Sequence, residues 1–164
     1  MTPQTYEHYK IKKKLGVALR RYVLTDNPCK RLQRYIGLDQ PTFQAYIAAQ
    51  LRPGMTLSNY GKMWVLDHIV PLFLFDHSSD SDLKIGWNYA NVIPMPPMLN
   101  RLKGVSVDFS QKELARRAKF FTANPNIALL QERMDTFHTW MCQLASSNLQ
   151  LREVAKVLKN RSCS

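Results

Sequence analysis

An acid and a base stand side by side at Asp67 and His68, and two asparagines, Asn91 and Asn100, follow nine residues apart. A histidine that titrates near neutral pH is suited to take a proton from water. Magnesium prefers oxygen ligands and is usually held by only one or two carboxylates, with water and phosphate completing its shell. Hydrolysis of a phosphodiester requires both an activated water and charge neutralisation on the phosphate. These residue types therefore suggest a one-metal nuclease site.

The elements predicted around these residues would bring them together. Two apolar, β-prone runs, 63–70 and 87–93, flank a loop that is rich in Asp, Ser and His. Asp67 and His68 would point to opposite faces of a regular strand, so both serve one site only if the strand ends or bends there. Pro71, three residues after His68, is consistent with such an end.

A short helix with a Pro-rich start is predicted after the second run, and Gly104 is placed to end it. Asn100 would lie about one turn into this helix. Lys103 would lie on the same face, three residues further on, and could reach a phosphate beside the metal. Arg101 would point about 100° away and could contact a neighbouring phosphate.

Each of these residues also has an ordinary structural interpretation. Most adjacent Asp–His pairs are not catalytic, and an asparagine at the end of a strand is usually a turn former. Their order, and the elements that carry them, make the combination more specific than any one residue. Two tryptophans and a tyrosine on the runs could stack on bases but are first expected in the core: Trp64, Trp87 and Tyr89. We expect His77 to be an exposed loop residue.

The charge distribution favours a polyanionic partner. The formal net charge is +11, and it divides into +7 over residues 1–36, −2 over 37–100 and +6 over 101–164. Basic flanks suit nucleic acid, while the slightly acidic centre suits a divalent cation. Ordinary solubilisation by basic residues is the alternative interpretation of this charge.

Helices are predicted on both sides of the central segment, over residues 6–23, 30–36, 40–51, 110–122, 127–144 and 149–160. Ser110, with Glu113 three residues later, has the pattern of a capping box. Basic side chains off the apolar stripes could track phosphates. The candidates for this nucleic-acid contact are Lys12, Lys13, Lys14, Arg20, Arg21, Arg116 and Arg117.

The segments Asp67-His68-Ile69-Val70-Pro71, Asn91 and Asn100-Arg101-Leu102-Lys103-Gly104 together resemble the HNH motif of the ββα-metal endonucleases, with Asn at the last position. The resemblance covers roughly residues 52–104. It implies that His68 is the general base, and that Asp67 and Asn100 ligate one Mg²⁺ or Mn²⁺. It also implies that Asn91 holds the loop bearing His68 through backbone hydrogen bonds, and that the cut leaves a 5′ phosphate.

The expected fold class is therefore α+β, with a ββα-metal HNH finger embedded in flanking α-helices. We expect a single domain over residues 1–164. Its parts would be a basic helical N-terminal extension (1–51), the HNH core (52–104) and a helical C-terminal extension (105–164). Many HNH domains carry zinc-binding Cys pairs, which are absent here, so the flanking helices would have to support the core.

The expected function is metal-dependent endonuclease activity, most readily on double-stranded DNA, with one nick per site. Three alternatives stay open: a nucleic-acid-binding protein whose HNH core is catalytically silent, an RNase with the same site, and a protein-binding regulator of a host. A homodimer or protein partner is compatible with each. The absence of a long apolar run argues against a membrane. Three widely separated cysteines favour a reducing compartment, such as the cytoplasm of a bacterial or phage-infected cell.

Overall fold

The computed structural model describes residues 3–104, 106–121 and 123–161, and the side chains of these between residues 6 and 146. It is helix-rich and contains a two-stranded antiparallel sheet, which makes the fold class α+β. The helices are α1 (Pro3–Leu24), α2 (Lys30–Ile36), α3 (Gln40–Ala48), α4 (Asp80–Gly86), α5 (Pro97–Lys103), α6 (Val107–Ala118) and α7 (Asn126–Arg161), and the strands are β1 (Val65–His68) and β2 (Val92–Met95). Among the described residues, every helix is too short or too polar to cross a membrane.

The first three helices form where the sequence carries apolar stripes and capping residues. α1 buries Leu15, Leu19 and Tyr22 at helical spacing, as its apolar stripe predicted. α2 ends at Gly37, whose φ of 80° lies in the left-handed region that glycine adopts without strain. Asp39 then caps α3, because its carboxylate accepts a hydrogen bond from the Thr42 backbone amide at 2.9 Å.

The two strands are shorter than the apolar runs that predicted them. β1 and β2 pair antiparallel, with Asp67 opposite Ile93 and His68 opposite Val92. A 3₁₀ turn, Tyr89–Asn91, occupies the middle of the second run, and β2 extends two residues beyond the end of that run. β1 stops at His68, and the chain bends immediately after the predicted base.

The segment between the strands was predicted as a loop, but it contains helix α4. Ser79 caps this helix by accepting a hydrogen bond from the Asp82 amide at 3.3 Å. Asp80 and Asp82 lie in its first turn, where the helix dipole favours negative charge. The signal was present in the sequence as a Ser cap followed by acidic residues, but at seven residues the helix was too short for an apolar period to show.

The helices after the sheet follow the predicted order, with two differences. α5 has the predicted Pro-rich start and ends at Gly104. α6 is capped by Ser106 and not by Ser110, whose buried hydroxyl instead donates to the Ile69 carbonyl at 2.6 Å. The two C-terminal helices predicted separately are one helix, α7.

The hydrophobic core runs between the helices and the back of the sheet. Trp64 and Trp87, expected in the core, are 0% and 1% exposed. Burial of each large apolar side chain contributes about 1.5–3 kcal/mol to folding. The largest apolar side chains in this core include Tyr22, Leu32, Ile36, Phe43, Ile47, Ile69, Leu114, Leu130 and Met134. The flanking helices thus support the β1–β2 hairpin on which the candidate site lies.

Candidate functional site

Asn91 fixes the segment that follows β1. Its side chain is fully buried, and its amide oxygen accepts a hydrogen bond from the Val70 backbone amide at 2.8 Å. Its amide nitrogen donates to the carbonyls of Val70 at 3.2 Å and Gly86 at 2.8 Å. The backbone amide of Ile69 also donates to the Asn91 carbonyl at 2.8 Å. These are the backbone contacts that the resemblance implies for Asn91, and they fix the two residues directly after His68.

His68 presents an uncharged ring to the site. The imidazole lies edge-on to Trp87, with 4.9 Å between the ring centroids. Part of the residue is exposed, but its Nε2 is shielded from solvent and has no hydrogen-bond partner among the described residues. Burial lowers the pKa of His68 to about 4, although the neighbouring Asp67 carboxylate acts in the opposite direction. The ring is therefore neutral at physiological pH, and its burial makes it a weaker base than an exposed imidazole.

Lys103 lies beneath the site and not on the substrate-facing surface where we expected it. Its ammonium nitrogen is 2.5 Å from Asp67 Oδ2 and donates to the His68 carbonyl oxygen at 2.6 Å. The side chain is only 4% exposed. α5 packs its C-terminal end against the end of β1, so the face that carries Lys103 points inward. In this arrangement the residue ties α5 to β1 and does not reach a bound phosphate.

The predicted metal ligands fit a hard divalent cation by their chemistry. Lys103 contacts Oδ2 of Asp67, and a carboxylate has a second oxygen with its own lone pairs. Asn100 lies one turn before Lys103 on α5 and is partly buried. Within the described part of the chain, no group of three or more His, Cys, Asp or Glu side chains could hold a metal. One carboxylate with one amide oxygen is a smaller donor set, which suits an ion that keeps several waters.

Arg117 was expected to contact nucleic acid, but the structure buries it at 1% exposure. Its guanidinium donates to Gln50 Oε1 at 2.7 Å, the Ala90 carbonyl at 2.9 Å, Glu113 Oε1 at 3.0 Å and the Tyr46 hydroxyl. We call Arg117, Glu113, Tyr46 and Gln50 the arginine cluster. It joins α3, α6 and the turn before β2, so Arg117 supports the fold and is removed from the candidate interface.

The remaining basic candidates lie at the surface, and some of them have protein partners there. Arg116 is half exposed and pairs with Glu113 at 2.6 Å. Arg20 lies over the Tyr60 ring, 5.3 Å from its centroid. The exposed candidates are Lys12, Lys13, Lys14, Arg20, Arg21, Arg101 and Arg116. Lys12 is distinguished from the others because its charge lowers the pKa of His68, after the larger effect of burial.

His77 differs most from its predicted position. We expected a solvated loop residue, but the side chain is buried at 5% exposure. Its ring lies beside His8 of α1, with 6.3 Å between the centroids. Sequence reasoning missed this because it took the segment between the strands for an open loop. The Ser79 cap, which sets the start of α4 and so the path of the chain, was the available signal.

Two viral proteins are similar to this chain. Uncharacterized protein L426 of Acanthamoeba polyphaga mimivirus is 26% identical over 96 residues, which cover 58% of this chain and 42% of that protein. Uncharacterized protein L246 of the same virus is 26% identical over 90 residues, covering 53% of this chain and 40% of that protein. The chain thus spans about two fifths of the length of these relatives. No protein-family profile and no solved structure matches it.

Proposed function

We propose that this protein is a metal-dependent endonuclease of the HNH, or ββα-metal, type, which hydrolyses phosphodiester bonds of double-stranded DNA one strand at a time. The observation that carries the proposal is the assembly around the end of β1. Asp67 and His68 end the strand, Asn91 braces the turn after them, and α5 docks against Asp67 through Lys103. The two strands and α5 come in the chain order β1, β2, α5, with α4 inserted between the strands, and this order supports the resemblance.

Each side chain has a defined role in this proposal. His68 accepts the proton of the attacking water, because its ring is neutral and its nitrogen is not engaged by the protein residues described. Asn91 positions His68 by holding the backbone of residues 69 and 70. Asp67 and Asn100 would hold the divalent metal, which supplies charge neutralisation on the phosphate and on the departing 3′ oxygen. Lys103 orients the Asp67 carboxylate from below.

The experiment that tests this function is the nicking of supercoiled plasmid with magnesium, manganese or EDTA. We expect nicking that requires metal and falls by at least about 100-fold in His68→Ala, the range expected when a general base is removed. His138→Ala is the matched control, because it removes an exposed histidine on α7 from a protein purified in the same way. Cleavage that survives His68→Ala, or that ignores EDTA, would contradict the proposal.

A second function is favoured by one observation, the close pairing of Lys103 with Asp67. A lysine that already neutralises a metal-binding carboxylate could replace the cation, leaving a nucleic-acid-binding protein without activity. Lys103→Met separates the two functions. A silent protein gains no metal-dependent nicking from this change, whereas the nuclease keeps its metal requirement and loses activity as Asp67 loses its orientation. The absence of nicking by both proteins with either metal, together with salt-sensitive DNA binding, would favour the silent module.

A further inference from the structure

The outer face of helix α1 combines exposed aromatic rings with positive charge. The side chains on this face lie within an arc of about 100° around the helix, opposite the buried Leu15, Leu19 and Tyr22. Tyr6 and Tyr9 are 49% and 51% exposed. We call this surface the tyrosine face, and its members are Tyr6, Tyr9, Lys10, Lys13, Val17 and Arg20.

The two lysines of the tyrosine face lie next to its rings. Lys10 Nζ is 4.2 Å from the centroid of the Tyr6 ring, and Lys13 Nζ is 5.9 Å from that of Tyr9. The residues of each pair are four positions apart, which places them side by side on the helix. A cation contact uses one of the two faces of a ring, and both tyrosines keep about half of their surface in solvent. The helix therefore offers an accessible ring beside a positive charge twice in succession.

A third pair continues this arrangement beyond α1. The Arg20 guanidinium lies 5.3 Å from the centroid of the Tyr60 ring. Tyr60 packs edge-on against the fully buried Trp64, with 5.0 Å between the ring centroids, so its ring is fixed to the core. Trp64 directly precedes β1, the strand that carries the candidate site. The three pairs therefore form one track from the first turns of α1 to the segment that enters β1.

The charge of α1 suits an anionic partner. The helix contains six Lys and Arg residues and a single acid, Glu7, which pairs with Lys10 at 2.9 Å. A surface with such an excess of positive charge attracts a polyanion. From Tyr6 to Arg20 the helix rises by about 21 Å, which matches about six nucleotides of one strand. A short stretch of nucleic acid therefore fits the track in charge and in length.

We propose that the tyrosine face binds single-stranded nucleic acid, with unpaired bases stacked on its two tyrosines and phosphates held by its three cations. Stacking on aromatic side chains tolerates any base sequence but requires an unpaired base with an open face. In a duplex the bases stack on one another and present only their edges in the grooves. The rings therefore select single strands, whereas the cations alone would bind either form. This binding is independent of the proposed nuclease activity, because it requires neither metal nor cleavage.

The first test measures binding of the full-length protein to a fluorescein-labelled single strand of about 12 nucleotides and to its duplex, by anisotropy in EDTA. We expect Tyr6→Leu and Tyr9→Leu each to weaken single-strand binding at least about five-fold, the lower limit for one base stacked on one ring. Duplex binding should stay within about two-fold of the wild type, since paired bases offer no open face.

Tyr9→Phe is the matched control, because it keeps the ring and removes only the hydroxyl group. Phe120→Ala controls for the loss of an exposed ring outside α1, since Phe120 is 71% exposed. Both variants should bind single strands like the wild type. Leucine favours a helix at least as well as tyrosine does, and circular dichroism checks that α1 is retained.

Three outcomes would overturn the proposal: leucine variants that bind single strands like the wild type, a Tyr9→Phe variant as weak as Tyr9→Leu, or an equal loss of duplex binding. RNA of the same base sequence is titrated in parallel, because its 2′-OH distinguishes it from DNA. Tyrosine-dependent binding of either polymer supports the proposal, and the tighter of the two is the polymer that the tyrosine face prefers.

The second test separates the cations from the rings. Lys13→Ala should weaken binding of both the single strand and the duplex, and should reduce the salt slope for the single strand by about 0.7, the loss of one phosphate contact. Tyr9→Leu should leave that slope unchanged, because it removes no charge. A slope that Lys13→Ala leaves unchanged, or that Tyr9→Leu lowers by the same amount, would contradict the proposal.

The binding tests and the nicking test can fail independently. If the wild type does not nick plasmid but binds single strands through its tyrosines, the tyrosine face stands and the nuclease proposal fails. If the wild type nicks plasmid while Tyr6→Leu and Tyr9→Leu bind single strands as well as it does, the nuclease proposal stands and the tyrosine face is overturned.

Discussion

The arginine cluster and a set of three histidines (His8, His68 and His77, the histidine cluster) are both polar and at least partly buried, but they satisfy their hydrogen bonds very differently. The Arg117 guanidinium has four protein partners on three elements. The Nε2 atoms of the histidine cluster lack a hydrogen-bond partner among the described residues, although that of His8 lies 3.2 Å from Asp76 Oδ1. Buried polar groups that are satisfied rigidify a fold, whereas unsatisfied ones cost stability. The first cluster therefore stabilises the fold, whereas the second leaves ring nitrogens unsatisfied at a cost in stability.

The two clusters are also mechanically connected. Arg117 donates to the Ala90 carbonyl, and the next residue, Asn91, holds Val70 and Ile69. His68 directly precedes Ile69 and Val70 in the chain. The rigid cluster thus fixes, through two neighbouring residues, the segment that carries the proposed base. The proposed active site would need precise geometry although its own ring nitrogen is unsatisfied, and the arginine cluster fixes that geometry from outside the site.

Among the variants that test this comparison, Arg117→Met should have the largest effect on stability. We expect the free energy of unfolding to fall by about 3–5 kcal/mol, the typical cost of removing one partner of a buried ion pair. The change leaves Glu113 with its exposed partner only and leaves the Ala90 carbonyl and Gln50 without the guanidinium. Urea unfolding followed by circular dichroism measures the difference.

Arg116→Met is the matched control for that experiment. Arg116 pairs with the same Glu113, but its side chain is 54% exposed. Exposed ion pairs contribute up to about 1 kcal/mol, so this variant should stay close to the wild type. If Arg117→Met were equally mild, the arginine cluster would not be the structural brace described above.

A smaller effect on stability is expected for His68→Leu. Replacing an unsatisfied polar group by an apolar group of similar volume is often neutral or stabilising. We therefore expect the free energy of unfolding to stay within about 1 kcal/mol of the wild type, while nicking is lost. The same urea titration, in EDTA, measures it. A loss as large as that of Arg117→Met would show that His68 is structural and would remove the contrast between the clusters.

The sequence predicted the elements better than it predicted which charged side chains would be buried. The order of α5 after the two strands, its end at Gly104 and the core positions of Trp64 and Trp87 follow from local patterns and are confirmed. The positions of Lys103 and Arg117 do not follow from such patterns. Helical periodicity places both charges near a helix surface, yet both side chains are buried. Lys103 pairs with Asp67, which is distant in sequence, and Arg117 pairs with Glu113, one helical turn earlier.

The burial of His77 had the same origin. A histidine beside Asp and Ser is ordinarily a solvated turn residue, and helix α1 that covers it lies some seventy positions earlier in the chain. A local pattern reports nothing about that contact. The contacts that complete both clusters are thus long-range, whereas the capping and apolar signals that were interpreted correctly act within a few residues.

The smallest expected effect is a difference in the pH dependence of stability. Both clusters contain a group with a lowered pKa, but the physical causes of the lowering differ. Burial opposes the lowered pKa of Glu113, which results from its hydrogen bonds with Arg116 and Arg117. Burial itself lowers the pKa of His77, whose ordinary value is 6.5. Below pH 6.5 the unfolded chain therefore binds a proton at His77 more readily than the folded chain does. The free energy of unfolding consequently decreases as the pH is lowered. For Glu113 the corresponding loss begins only near 4.5, its ordinary value.

Urea unfolding at pH 7 and pH 5.5 thus isolates the histidine cluster, since Glu113 is ionised in both states at both pH values. We expect the wild type to lose stability between them, with a slope of no more than about 1.4 kcal/mol per pH unit for each proton taken up. His77→Phe should lose less, because one group that drives the change is gone, and His138→Phe controls for the loss of an imidazole. An unchanged slope in His77→Phe would mean that His77 is as accessible to protons in the folded protein as in the unfolded chain, and the contrast between the two clusters would then not hold at His77.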